Sequence, residues 1–324
     1  MFLPILLSTI LIKLITILLC LFAVILASAF ISISERHIVA SIQRRTGPSI
    51  IGGSFGLLQP LADGLKLILK EYLAPNKSKK FWFYIGPIYT FFLALLIWAN
   101  FNIDYVSSIF FNGDYLLLNL IAFLVINSYG IIISVIYSTN KFALIGGIRS
   151  IALSVSYGLS LSLIFLSPCY LAGSFNLHEI LAMQQYTWFL WTLFPIALLF
   201  WITILTEIKK IPFDVGESEA ELGSGFLIEY SATNFAIFVV SEYIYIILLL
   251  SLFNSLFLGG GLSSKYSSLW IYNLKLIFLI LIYFIIRSVL PNFRFDQIML
   301  LHWKYILPAA LSYFLFIVFV YSII

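Results

Sequence analysis

Apolar residues run along this chain in long blocks that polar residues interrupt only briefly. Uncharged runs from Leu14 to Ser34, Phe81 to Ile103, Tyr115 to Asn140, Ser150 to His178, Ile180 to Thr206 and Tyr305 to Ile324 each approach the twenty residues a helix needs to cross about 30 Å of hydrocarbon. Two more carry charge: roughly Tyr230 to Phe253, which holds Glu242, and Leu269 to Pro291, which holds Lys275 and Arg287 near its ends. The pattern predicts an all-α membrane protein of about eight transmembrane helices, forming a single polytopic domain over residues 1–324. Leu57 to Glu71 is different. Leu57, Leu58, Leu61, Leu65, Ile68 and Leu69 recur at helical spacing while Asp63, Lys66 and Lys70 share another face, which predicts an amphipathic helix lying on the membrane surface. Pro60 falls in its first turn, where a missing N–H is harmless.

Composition agrees: the chain is 62% hydrophobic and 10% charged, too little polar surface to clothe a soluble domain. The start MFLPILLSTI lacks the basic, short-cored pattern of a cleaved signal, so no targeting segment is expected. Heavy use of Phe, Ile, Tyr and Leu with little Arg suits an organelle gene. Charge then sets orientation. Threading eight spans puts 15 of the 18 Lys and Arg residues on one set of loops and 3, Lys13, Lys265 and Lys275, on the other. Positive residues stay inside. Both termini are therefore expected outside, with loops near 35–80, 138–149, 207–229 and 287–304 inside, and the net charge of +4 reflects topology rather than nucleic-acid binding.

Cys20 and Cys169 stand alone in apolar runs, and His37, His178 and His302 lack ligand spacing, so no metal or cluster site is expected. TGPSIIGG upstream of the amphipathic helix is a turn suited to docking, not a phosphate loop. The acidic loop 207–229 carries the candidate chemistry. In IPFDVGESEAELGSGFLIEY and the residues before it, six of the fourteen acids lie together: Glu207, Asp214, Glu217, Glu219, Glu221 and Glu229. If helical, Asp214, Glu217 and Glu221 share a face; if extended, Glu217, Glu219 and Glu221 align. Like charges this close must pair with Lys209, Lys210 or arginines elsewhere, or hold protons. Thirteen residues past Glu229, roughly 20 Å along a helix, Glu242 is expected deep in the bilayer, where a carboxylate is by default functional. Loop acids leading to a buried acid read as a proton path.

ER at 35–36, QRRTGP at 43–48, GLLQPLADGLKLILKE at 56–71, Glu207 with PFD at 212–214, ESEAEL at 217–222, EYS at 229–231, EY at 242–243 and PNFRFDQIMLLHWK at 291–304 resemble the chain 1 family of respiratory complex I, NADH:ubiquinone oxidoreductase. The resemblance covers essentially the whole chain. It implies a core subunit at the junction of the peripheral and membrane arms of a proton-pumping enzyme in the mitochondrial inner membrane, or a bacterial plasma membrane. Other complex I subunits, both the quinone-module peripheral arm and the antiporter-like membrane subunits, would be its partners, with membrane lipid around it. The substrate would be ubiquinone, and no metal, flavin or iron-sulfur cluster would sit on this chain. It implies that Glu35, Arg36, Arg45, Asp63 and Arg287 line or brace the quinone chamber, and that Glu207, Asp214, Glu217, Glu219, Glu221, Glu229 and Glu242 form the proton-coupling path.

Departures from the family pattern matter. Where the family often reads ETNRAPFDLPEAEAEL this chain has EIKKIPFDVGESEAEL, with Lys210 for an arginine and Gly216 for a proline. Gly158 stands where a glutamate is usual, His37 replaces a lysine and Asn292 an arginine. A proton or cation antiporter would explain the acids, yet no internal repeat is visible. A structural anchor would leave Glu242 unexplained, and the membrane subunit of an energy-converting hydrogenase is a close variant.

Overall fold

The computed structural model describes residues 2–53, 55–101, 115–263, 266–267 and 269–323, and of these not the side chains of 2–14, 219–220, 262–263, 266–267 and 323. The ends of the expected 81–103 and 305–324 spans, Lys265, and the side chains of Lys13 and Glu219 therefore lie outside the described part. The remainder is a helical bundle. The helices are α1 (Phe2–Ile42), α2 (Gln59–Leu69), α3 (Lys80–Asn100), α4 (Leu116–Ser138), α5 (Lys141–Ala172), α6 (Leu177–Met183), α7 (Phe189–Thr192), α8 (Phe194–Glu207), α9 (Glu219–Leu222), α10 (Ala232–Phe257), α11 (Leu269–Val289), α12 (Phe295–Leu301) and α13 (Leu307–Ile323). A two-residue antiparallel ladder, Leu262–Ser263 against Tyr266–Ser267, is the extended pairing among the described residues.

Among the described residues, seven stretches are long and apolar enough to cross a membrane. The eighth expected span, 180–206, is broken instead. It divides into the end of α6, the single turn α7 and the 14-residue α8, and α8 alone covers only about 21 Å. Where the break begins, the side-chain amide of Gln184 donates through Nε2 to Ser255 O at 3.0 Å and Leu256 O at 3.2 Å. That satisfies carbonyls of α10's last turn, which no intrahelical donor reaches. Lys275 closes the same end, donating to Leu258 O at 2.6 Å and Gly260 O at 2.9 Å. It belongs to the second turn of α11 rather than to a loop.

The expected inside loop at 138–149 shrinks to Thr139 and Asn140. Thr139 adopts a left-handed conformation that ends α4, and Asn140 caps α5 by accepting from Phe142 N at 3.0 Å, the usual role of a short amide at a helix start. Arg149 is therefore helical. The last crossing likewise begins early, at Phe295, and passes through a π-helical turn at His302–Ile306. The amphipathic helix is confirmed over Gln59–Leu69, with Pro60 in its first turn and none of its residues buried.

Helices α3, α4 and α5 pack through small residues. A methyl on Gly86 would lie 2.8 Å from Ser134 Cβ, and one on Gly130 would collide with Thr90, the close approach by which membrane helices gain dispersion energy without a hydrophobic drive. α10 is the central helix: from Ile244 to Phe257 every residue is buried, as expected for a helix that is apolar all round. Phe200 of α8 packs its ring on Phe253 and Phe257 of α10, which also contact each other. α1, by contrast, exposes Leu18, Leu19 and Phe22 on a lipid-facing side.

Candidate functional site

Between α8 and α10 the chain does not form a regular element until α9. Residues 208–218 fold back into one end of the bundle, so neither the helical nor the extended arrangement of the acids holds. Small residues allow the approach. Gly146 of α5, Gly216 and Gly225 press together: a methyl on Gly146 would sit 2.7 Å from Gly216 O, and one on Gly225, at φ +54°, would overlap that same carbonyl. Gly216, with Ser150 Cβ 2.9 Å from where a methyl would be, also shows why this chain's glycine suits the local packing. At the far end Tyr230 locks the loop, donating toward Phe83 O and Ser134 O at 3.2 Å and stacking on Phe83 at 4.3 Å. Phe213 stacks on Phe293 at 5.5 Å while Phe293 N donates to Pro212 O at 3.0 Å, tying the loop to the segment after α11.

This folding places Lys210 between two acids from different elements. Its Nζ lies 2.7 Å from Glu217 Oε2, a hydrogen bond, and 2.6 Å from Glu242 Oε2, an ionic contact off the hydrogen-bonding direction. The three side chains are 11–19% exposed, so water screens them little. Burial raises the Glu217 carboxyl, but the Lys210 charge, hydrogen bonds with Glu242 and Lys210 and the Lys209 charge together outweigh it and hold the group below its ordinary value. Burial lowers Lys210, and the charges of Glu242 and then Glu217 more than offset that, leaving its pKa well above the usual lysine range. Lys209, buried beside the same acids, is held below its ordinary value, burial prevailing over Glu207, Glu217 and Glu242.

Glu207, at the end of α8, and Glu242, ten residues into α10, line a common cavity of about 50 Å³ together with Lys209, Asn127 and Tyr245. That is room for roughly three or four waters. Glu217 and Lys210 reach Glu242 because the loop folds into the bundle.

Asp214 turns the loop by accepting from Glu217 N at 3.2 Å. Burial and the Glu217 charge push its carboxyl from 3.8 up to about 6, against the pull of Lys210 and Arg287. Below pH 3.8 the group is protonated whether the chain is folded or not; between 3.8 and about 6 only the folded chain keeps the proton. The stability this group contributes is therefore full at low pH and lost as pH rises through about 6, because there the native state binds more protons than the unfolded one. The thermal inactivation midpoint of the wild-type complex should fall more between pH 4 and pH 6.5 than that of Asp214→Asn. Parallel curves would show that Asp214 does not titrate in this window.

A second cluster sits beside the first. Arg287 of α11 pairs with Glu35 of α1, and Tyr243 OH donates to the other oxygen of Glu35 at 2.8 Å. Three membrane helices thus meet at one carboxylate. On the surface Arg36 pairs with Asp63 of α2 at 2.8 Å, and Gln59 Nε2 donates to Asp63 Oδ1 at 3.1 Å. This answers why an acid sits on the amphipathic helix: it fastens α2 to the end of α1, at 36–52% exposure and hence with little net energy. His37 helps, its Nε2 lying 2.9 Å from Phe55 O. Arg45 is exposed, its Nε donating to Gln43 Oε1 at 2.8 Å.

The remaining acids are dispersed. Glu221 pairs with Arg149 at 2.7 Å and is 56% exposed, and Glu229 accepts from Asn140 Nδ2 at 2.8 Å. Glu219 lies in the short helix α9. The structure therefore brings together Glu207, Asp214, Glu217 and Glu242 with two lysines, and Glu35 with Arg287. Tyr243, Asn127 and Tyr245 were not found by sequence reasoning. Their signal was only a polar atom inside an apolar run, which Ser and Tyr elsewhere in this chain also show. Gly158 of α5 faces Val125, 3.5 Å from where a methyl would be, so an apolar neighbour occupies its side. Among the described residues no group of three His, Cys, Asp or Glu could hold a metal ion.

Comparison with known proteins agrees with this architecture. The family described as NADH dehydrogenase matches residues 15–318. NADH-ubiquinone oxidoreductase chain 1 of Chondrus crispus is 42% identical over 314 residues, covering 95% of each chain, and that of Arabidopsis thaliana is 41% identical over 295 residues, 89% of this chain and 90% of its own. A bacterial relative, a subunit of the NADH-quinone oxidoreductase of Rhodospirillum rubrum, is 39% identical over 294 residues, 88% of this chain and 86% of its own. A helical bundle that gathers acids at one end, matched along nearly its whole length at this level of identity, belongs to the NADH dehydrogenase family, with chain 1 of NADH-ubiquinone oxidoreductase among its relatives.

Proposed function

We propose that the chain forms part of the quinone chamber of a proton-pumping NADH:ubiquinone oxidoreductase and carries the first steps of the path from that chamber into the membrane arm. The observation that carries this reading is Lys210, one ammonium shared by a loop acid, Glu217, and a helix acid, Glu242, at 2.7 and 2.6 Å. The relatives are named for quinone reduction, which favours it over the hydrogenase and antiporter alternatives.

In this reading the face bearing Glu35, Arg36, Arg45, Asp63 and Arg287 shapes the chamber, and electrons arrive from a partner subunit. The inside loops meet the quinone-module peripheral arm, antiporter-like subunits adjoin the chain in the membrane, and both termini lie on the intermembrane-space side. Quinone takes up two electrons and two protons. Drawing a proton from the Asp214 and Glu217 side adds negative charge next to Lys210. The ammonium then leans toward the loop, which weakens its hold on Glu242 and raises that carboxyl's affinity for a proton. Four carboxyls, Glu207, Asp214, Glu217 and Glu242, face two lysines, so the cluster cannot be fully ionised without two unbalanced charges. Its protons therefore move as a set. Glu221, Glu229 and Glu219 form the outer, more hydrated part of the same acidic surface.

Glu242→Gln tests this. In sealed vesicles holding the assembled complex, protons translocated per NADH oxidised should fall at least about tenfold, the lower range for removing a positioned proton-transfer group. Wild-type translocation in that variant would remove Glu242 from the path.

A further inference from the structure

The cavity beside Glu242 is lined by more than carboxylates. Asn127 projects from α4 and Tyr245 from α10, two residues beyond the Glu35-bonded Tyr243, and both line the same space as Glu207 and Glu242. Tyr245 is 9% exposed, and its hydroxyl, like Asn127 Oδ1, is a buried oxygen with no hydrogen-bonding partner among the described residues. Leaving such an oxygen without a partner is costly. Two of them on the wall of one cavity that can hold water have a common solution, because water both donates and accepts. Thr90 of α3 and Ser128 of α4 line the same cavity, so it continues the acid cluster toward α3 and α4.

We propose that Asn127 and Tyr245 are positioning residues that hold a short chain of water between Glu242 and Glu207, through which protons pass. The inference rests on the proposed function and adds to it the groups that make the gap between two carboxyls conduct. In one transfer the Glu242 carboxyl gives its proton to the first water. Each water passes one proton on, and the last bonds to a carboxylate oxygen of Glu207. One O–H bond is broken and one made at every link, the charge of the pair is conserved, and no electron moves. Asn127 Oδ1 accepts from a water at one wall. The Tyr245 hydroxyl can donate to one water and accept from another, which fixes the direction of the chain.

The test uses Tyr245→Phe and Asn127→Leu, singly and together, in the assembled complex in sealed vesicles, with protons translocated per NADH oxidised measured in H2O and in D2O. Tyr245→Phe keeps the ring and removes only the hydroxyl, so it decides the matter if the double variant does not assemble. The expected result is a fall of at least about tenfold in translocation for the double variant, with a smaller fall for each single one. The solvent isotope effect should also rise, because proton transfer becomes rate-limiting, which a packing defect would not produce. Wild-type proton yield and isotope effect in Tyr245→Phe and in Asn127→Leu would overturn the proposal. If that result came with a Glu242→Gln variant that no longer pumps, the water chain would fall and the proposed function would stand. If Glu242→Gln pumped normally as well, both would fall.

Discussion

Replacing Lys210 with methionine is expected to remove most of the assembled complex. The substitution strands Glu217 and Glu242, 11% and 17% exposed, as two facing carboxylates. Breaking a buried ion pair from one side costs about 3–5 kcal/mol, because the remaining charge has neither water nor partner. Here two charges are stranded and repel each other, and a membrane subunit with that deficit would be lost before assembly. Lys210→Arg should differ sharply. It keeps the charge, and an arginine fork can reach two carboxylates at once, so assembly should stay near the wild-type level. Combining Lys210→Met with Glu242→Gln should recover part of the lost complex by removing one of the stranded charges. The measurement is the amount of intact complex on a native gel and its NADH-to-quinone rate. A Lys210→Met complex present at the wild-type level would show that the ammonium does not hold this junction together.

Arg287→Met should have the next largest effect, for the same reason at a different place. Glu35, 13% exposed, would keep the hydroxyl of Tyr243 but lose its cation, again at about 3–5 kcal/mol. The consequence reaches further than stability, because this carboxylate joins α1, α10 and α11. With Arg287 gone, α11 is free to shift against α10, and Asp214, which feels the Arg287 charge, loses one of the groups that hold its proton affinity down. The variant should assemble poorly, and the enzyme that does assemble should reduce quinone at least about tenfold more slowly, as expected when groups around a reacting site move by about 1 Å. Glu35→Gln in the Arg287→Met background should restore assembly more than activity. Normal activity in Arg287→Met would separate this pair from the quinone chamber.

Both expectations depend on contacts that were only partly legible along the chain. Hydropathy located seven of the crossings and the surface helix, because burial in lipid acts on every residue of a span and so leaves a signal twenty residues long. It read the 180–206 stretch as one continuous run, where the structure has three shorter helices. Polar and helix-breaking residues lie at the break, Gln184, Gln185 and Thr187 after α6 and Pro195 in the first turn of α8, and Gln184 also bonds the end of α10. The acidic loop stood out because charge is scarce here, but its geometry did not. Whether the acids would align as a helix or as a strand was the wrong choice to pose, since a backbone pressed against Gly146 and Gly225 is neither.

The amino-acid order by itself determined that this is a helical membrane protein, which of its faces carries the positive charge, and that an isolated acid, Glu242, lies in a crossing; each follows from the cost of moving polar groups into hydrocarbon, which acts residue by residue. Only the tertiary structure decided which acids meet. Asp214 and Glu217 joined Glu207 and Glu242, Glu221 and Glu229 went to Arg149 and Asn140, and Glu35 found Arg287, 252 positions away. Those choices come from where glycines let the loop enter the bundle and from the match of one ammonium to two carboxylates, and such pairings between distant segments leave no period in the sequence.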